Sequence, residues 1–436
     1  MEFTSALWSV PFLGIILSTS FLPLTCPKFW EKYSCYTPLF WTIAYLLFVF
    51  LFFGASKIFE AVFEPIFAEY IPFIILISTL YVVSGGIFVD FPRGYGPLFN
   101  TGFLLCGSVV AGWIGTTGAA ALLIRPFLRA NSGRKHSAHL MVFFIILVAN
   151  IGGAASPLGD PPLFIGFLKG IDFFWFVKRL YPILCGATLA LCLIFFLMDS
   201  FFFRIDRGVY NRRENEPILT IKGYGNIALI GGVLLAVIFC NFQGEFNLFN
   251  ENFSYASLLR NILLLAISLI SLKITPSQIR EKNSFSFVPI KEVAELFAGI
   301  FITVAPVINI LRQGANGEFY RLFEWIAPNG EFVAARCFWV SGILSSILDN
   351  APTFLIFFHL TSGDPNVLMT AKSNILTAFS ISTVFMGALT YIGNAPNLIA
   401  RSVSADYGIK VPSFLGYMGW SFAILLPIFV IISYLL

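Results

Sequence analysis

The chain has 436 residues, of which 58% are hydrophobic and 11% charged, with a net charge of +4 and seven cysteines. A water-soluble chain needs about 25% charged residues to clothe its surface, so the composition excludes a soluble globular enzyme and points to a polytopic membrane protein. The cysteines lack any C-x-x-C spacing, so neither a disulfide framework nor a zinc knuckle is implied, and the basic residues lie in short segments between apolar runs, which argues for orientation in a bilayer rather than for nucleic acid.

A spanning helix needs about 20 apolar residues. Runs of that kind predict spans at 6–24, 38–54, 70–89, 138–170, 173–199, 224–241, 256–273, 290–311, 374–400 and 412–436. The first is read as a retained helix, because neither a basic leader nor a small-residue cleavage site accompanies it. Two further apolar segments, 97–128 and 333–360, are too long for single spans and carry polar breaks, GTTGA at 115–119 and DNAPT at 349–353. Each is expected to be a re-entrant hairpin. The spans 138–170 and 374–400 are interrupted as well, by GAASPLGDPPLFI from Gly153 and GALTYIGNAPNLI from Gly387. Lipid cannot satisfy freed N–H and C=O groups, so backbone that leaves the helix at membrane depth must be buried in protein or line a wet cavity. The breaks therefore mark the functional interior.

They also recur. The two broken spans align at an offset of 234 residues with five of thirteen positions identical, and the same offset carries GTTGA onto DNAPT. Five expected spans intervene, and an odd number turns the second copy over. The expected organisation is N-terminal helices at 1–69, a first repeat at 70–222, linking helices at 223–289 and a second, inverted repeat at 290–436. Taking the segment 129–137 as cytoplasmic places 25–37, 90–96, 202–222, 274–289 and 401–411 on the same side. With the flanking Arg125, Lys273 and Lys291 counted, that side carries 18 of the 27 Lys and Arg residues, which satisfies the positive-inside rule. The segment 242–255 has no Lys or Arg, and 55–69 has Glu60, Glu64 and Glu69 against Lys57, as expected outside.

Asp349 and Asp160 are the informative charges. A carboxylate near the bilayer centre costs roughly 2.5 to 3.5 kcal/mol even on permissive scales, so it requires a partner or a use. Burial favours the neutral form of a carboxyl group, and such a group can hold either a proton or a sodium ion. Both aspartates precede a proline-started half-helix, so each is equally read as an N-cap. Asp349 is expected to carry the exchange and Asp160, whose repeat mate is the neutral Asn394, to modulate it. Thr116, Thr117, Ser156, Asn350, Thr353, Thr390, Asn394 and Asn397 supply neutral oxygens near the breaks, suited to sodium or to an anion held at half-helix N-termini. The expected sodium set is Asp349, Asn350, Thr117 and Asp160. Gly159 and Gly393 are expected where backbone approaches the ion or takes a conformation that a β-carbon disfavours. Arg125 and Arg401 are read as snorkelling to the cytoplasmic surface, His136 and His139 as an H-x-x-H in a basic loop with no third ligand for a metal and pH sensing as the alternative, and Glu292 and Glu295 as ordinary charges at a helix start with a proton relay through Glu295 as the alternative.

The segments GTTGAAALLIRPFLRAN, NIGGAASPLGDPP and SSILDNAP resemble motifs of the ion transporter superfamily, most closely those of NhaD-type sodium/proton antiporters. YIGNAPNLIA is more similar to the arsenite-permease and citrate-carrier branches. The resemblance runs from about residue 70 to the C-terminus. It implies an all-α inverted-repeat secondary transporter with about ten spanning helices, two re-entrant hairpins and two broken helices. Sodium and protons are its expected transported or coupling ions, with no other cofactor; an anion carrier for arsenite, citrate or another di- or tricarboxylate is the alternative. An intramembrane enzyme would need a catalytic aspartate pair or a zinc motif, and the duplicated breaks argue against it. The expected setting is a bacterial-type cytoplasmic membrane, with the bilayer and a small ion as partners, no nucleic acid, and a homodimer compatible with the class.

Overall fold

In a computed structural model the described residues are 5–91, 96–206, 219–240, 242, 244–248, 251–313, 317–318, 320–407, 409 and 411–436. Arg93, Arg207, Arg212, Arg213 and Lys410, counted above as cytoplasmic, lie outside them. Nine helices among the described residues are long and apolar enough to cross a membrane, and three shorter apolar helices accompany them. The chain is an all-α polytopic membrane protein.

The longer helices in chain order are α1 (Val10–Thr25), α2 (Tyr36–Phe53), α3 (Ala55–Ser84), α4 (Pro97–Ile114), α5 (Thr116–Ala130), α6 (Ala138–Leu147), α7 (Pro161–Leu168) and α8 (Phe173–Ile205). They continue with α9 (Tyr224–Phe239), α10 (Tyr255–Ile274), α11 (Val288–Arg312), α12 (Ala334–Leu348), α13 (Asn350–Thr361), α14 (Ser373–Met386), α15 (Ala395–Asp406) and α16 (Phe414–Leu435). Two short antiparallel strand pairs join Phe88–Asp90 to Thr220–Lys222 and Glu245–Leu248 to Glu251–Ser254.

The helix–helix hairpins α4–α5 and α12–α13 turn at single residues. Gly115 has φ 85° and ψ 142°, and Asp349, 234 positions later, has φ 79° and ψ 152°. The broken helices restart in the same paired way. Asp160 (φ −142°) precedes α7, Asn394 (φ −155°) precedes α15, and Pro161, Pro162 and Pro396 sit in first turns, where a missing N–H costs nothing. Packing is paired too: Gly152 lies against Ser108, and at the equivalent positions the sizes reverse, with Gly342 against Met386. The halves interlock crosswise, α13 against α7 and α15 against α5. The segment Ala138–Ala155 is the most enclosed, with 94% of its residues buried. Its break is thus surrounded by protein, as freed backbone groups require.

Three stretches differ from expectation. Residues 55–69 are helical and run without interruption into the next span, through a π-helical stretch at Pro65–Tyr70, so the boundary expected at residue 69 falls inside a helix. The four charges there sit on an amphipathic helix: Lys57 pairs with Glu60 one turn on, and Lys169 pairs with Glu69. Residues 88 and 89, expected as the end of a span, belong to the strand Phe88–Asp90. Arg134 and His139, expected in and beside a basic cytoplasmic loop, are buried against Asp199, to which Asn100 also donates at 2.9 Å. A charge cluster satisfied by partners 60 and more positions away cannot be recognised from local sequence.

Candidate functional site

Four chain breaks meet at one place because each half-helix packs on the opposite hairpin. Asp160 is 2% exposed and accepts three side-chain hydrogen bonds: from Thr116 Oγ1 to Oδ1 (2.7 Å), from Asn394 Nδ2 to Oδ1 (3.2 Å) and from Asn350 Nδ2 to Oδ2 (2.6 Å). Its donors come from both hairpin tips and from the second break. Asp349 lies at the tip of the second hairpin, and its Oδ1 accepts from the Asn350 N–H at 2.6 Å, capping α13. No Lys or Arg pairs with either carboxylate among the described residues.

Several of the hydroxyl and amide groups singled out by sequence hold the breaks in shape. Ser156 Oγ donates to Gly112 O at 2.5 Å, and its repeat mate Thr390 Oγ1 donates to Ser346 O at 2.6 Å. The same two oxygens accept, each at 3.2 Å, from Leu158 N and Ile392 N. Thr353 bonds back to Asp349 O at 2.9 Å. Asn397 Nδ2 donates to Gly387 O and Thr390 O, both at 2.9 Å. Thr117, expected in the sodium set, makes no hydrogen bond to Asp160; its neighbour Thr116 does. Gly159 and Gly393 do not have positive φ. A β-carbon on Gly159 would run into Gly153 O, and one on Gly393 would stand 2.6 Å from Gly387 O. These glycines allow close approach of two backbone strands within a break.

Two residues at the site were not anticipated. Asn150 donates to Asn397 Oδ1 at 2.7 Å and accepts from Asn394 Nδ2 at 3.3 Å, tying the first break to the second. Ser345 donates to Asn350 Oδ1 at 2.7 Å, which orients the amide toward Asp160. An amide ending an apolar run, as Asn150 does in FFIILVAN, was the available signal.

Two cavities flank the centre. One of about 30 Å³ is lined by Ile114, Gly115, Thr116, Thr117, Leu158, Asp160, Pro161 and Phe164 against α3. The other, of about 160 Å³, is lined by Leu348, Asp349, Ile392, Ala395 and Leu398 against α1 and α11. Adding 234 to Ile114, Gly115, Leu158, Pro161 and Phe164 gives those five residues. The cavities are equivalent in the duplicated pattern and unequal in size.

This arrangement can hold a small cation. Two carboxylates, hydroxyl and amide oxygens, and the carbonyls of unwound backbone form an all-oxygen environment suited to a hard ion. Four helix N-termini, those of α5, α7, α13 and α15, begin at the same place, and such termini favour negative charge.

A model of the family described as "Putative citrate transport" matches residues 1–436. Among curated proteins the chain is similar to a "46 kDa membrane protein" of Mycobacterium leprae (strain TN), 24% identical over 281 residues, covering 61% of this chain and 60% of that protein. The match thus spans less than two thirds of that relative's length.

Proposed function

Since the chain belongs to this citrate-transport family of membrane transporters, we propose that it is a secondary transporter whose Asp160–Asp349 centre binds a sodium ion or a proton, and that its main reaction is sodium/proton exchange by alternating access. The observation that carries this reading is the meeting of two carboxylates at the crossed breaks with no basic residue paired to either. Uncompensated carboxylates in a low-dielectric interior are costly, and a bound cation or proton removes the cost. Competition between the two at one site is sufficient for exchange. Asp160, Asp349, Asn350 and Thr116 would hold sodium, with carbonyls of the breaks completing the set. The halves are read as inverted copies, since five helical crossings, Ala138–Leu168, α8, α9, α10 and α11, separate the hairpins.

The second reading is a carrier of citrate or a related carboxylate, favoured by the family description and by the four converging helix N-termini. Two carboxylates would repel such an anion until cations occupied them, so this reading implies cation-coupled symport. Proteoliposomes containing a pH-sensitive dye separate the two. Proton movement driven by sodium alone supports exchange, whereas labelled citrate uptake that requires sodium or a proton gradient, without sodium-driven proton release, replaces it with symport. Neither flux in a correctly inserted protein would refute the cation centre.

A further inference from the structure

We infer that Glu292 is the carboxylate through which the transported cation passes on its way between a larger adjoining cavity and Asp349; this rests on the cation reading above. A cavity of about 350 Å³ is lined by Tyr81, Ser84, Arg125, Asn283 and Glu292, and the 160 Å³ cavity that contains Asp349 adjoins it. Two residues line both, Glu292 and Leu398, and only Glu292 is ionisable.

The charged and titratable groups around Glu292 are specific. Tyr81 from α3 and Arg125 from α5 face the larger cavity, while Cys35, Asp349 and Glu295 face the smaller one. On its own helix Lys291 pairs with Glu295 at 3.7 Å, and Tyr70 donates to the nearby Ala294 O at 3.0 Å. Glu292 itself makes no ion pair or hydrogen bond among the described residues. Beyond it Val293, Leu296, Leu348 and Ile392 form the apolar part of the smaller cavity, and Thr19, Ser20, Ser34 and Glu295 its polar part. Glu292 is exposed where the two cavities share their lining, and an unengaged carboxylate there concentrates cations ahead of Asp349. The equivalent cavity at Asp160 has no second carboxylate in its lining, so the two routes differ. Glu292 marks the Asp349 side.

The test is sodium dependence of exchange in proteoliposomes containing the full chain, with wild type, E292Q and E292D compared after checking that each elutes as a folded species. E292Q is expected to raise the half-saturating sodium concentration about tenfold while the rate at saturating sodium stays within about twofold, and E292D to restore most of the affinity. An unchanged half-saturation value in E292Q, with wild-type exchange intact, overturns the inference and leaves the proposed function standing. A fall in maximal rate at constant half-saturation overturns it as well. Absence of sodium-dependent flux in wild type instead refutes the functional reading on which it rests. Should E292Q not fold, E292C in a background lacking the seven native cysteines, treated with an anionic or a cationic methanethiosulfonate reagent, gives the same information in place: the cationic adduct is expected to weaken sodium dependence relative to the anionic one, and equal values overturn the inference.

Discussion

The side-chain amide of Asn350 donates to Asp160 Oδ2 at 2.6 Å, a contact between residues 190 positions apart that joins the second hairpin to the first broken helix. Its geometry fixes how charge can be moved within the site. In D160N the new amide has a single acceptor oxygen for three incoming donors, and an N–H₂ would face the Asn350 N–H₂. An unsatisfied buried group of this kind costs about 1–3 kcal/mol. N350D would set two carboxylates against each other and is expected to be comparably destabilised. In D160N/N350D, however, the amide at 160 donates to the carboxylate at 350, and the Ser345 hydroxyl, which now donates to Asn350 Oδ1 at 2.7 Å, keeps its acceptor. Thermal unfolding in detergent should therefore show both single variants below wild type and the double variant recovered, with exchange absent in D160N. A double variant no more stable than the worse single would contradict the contact.

Asp349 occupies a backbone region, φ 79° and ψ 152°, that is essentially reserved for glycine, and its repeat mate is Gly115. Such a conformation costs of order 1–3 kcal/mol and persists where surrounding structure imposes it. The capping bond to the Asn350 N–H offsets part of this, since replacing a cap by glycine costs only a few tenths of a kcal/mol. D349G is expected to be at least as stable as wild type and inactive in sodium/proton exchange. D349A, which keeps the strain and loses the cap, should be the less stable of the two. Exchange surviving in D349G would remove Asp349 from the ion site.

The places where the chain leaves the helix were legible because glycine or proline punctuates each of them, and their recurrence at one offset located both hairpins and both broken spans. Which polar groups face an ion was not. Ser156 and Thr390 look like ligands in sequence, yet each bonds a carbonyl of the preceding hairpin. Their roles depend on which backbone groups the breaks leave unsatisfied, a property of the packed structure. Asn150 escaped notice because its partners, Asn394 and Asn397, are more than 240 positions away. The charges of 55–69 mimicked a loop because amphipathic helices at a membrane surface carry as many.

Arg134 and Asp199 form a buried ion pair that His139 joins by a hydrogen bond, all three side chains no more than 1% exposed, fastening the turn after the first hairpin to α8. Removing one member of a buried pair strands the other charge, typically at 3–5 kcal/mol, whereas removing both is far milder. R134A should accordingly yield little folded protein, and R134M/D199L should recover much of the loss. Equal yields of R134A and wild type, measured by fluorescence-detected size exclusion, would show the pair to be dispensable.

The glycine pair predicts a graded series. G159A and G393A each force a β-carbon into the backbone of Gly153 or Gly387 within a buried break, where no side chain can swing aside. Gly186, in α8, has nothing within 4 Å of the β-carbon position, so G186A is the control expected to match wild type. Transport should fall severely in the first two variants and remain in the third. Gly166 would be a poor control, because Phe176 and Phe354 ring atoms would stand 2.7 and 2.8 Å from its added carbon. Normal flux in G159A would mean that the break can shift without consequence for the site.

The proposed inversion of the two halves makes a prediction about sidedness. Lys135 lies in the exposed turn after α5, and Asn366 lies in the exposed connection after α13, near the equivalent point of the second repeat. If an odd number of crossings separates the hairpins, these two positions face opposite sides of the membrane, although their surroundings in the fold correspond. Single cysteines at 135 and 366, in a background lacking the seven native cysteines, should label with an impermeant maleimide from opposite faces of intact cells and inverted vesicles. The positive-inside rule places the Lys135 side in the cytoplasm, so its labelling should require inverted vesicles. The unequal cavities at Asp160 and Asp349 would then open toward opposite faces, which is the asymmetry alternating access requires. Labelling of both cysteines from one face would make the halves parallel copies, place both cavities on one side, and leave exchange across the membrane without a second exit.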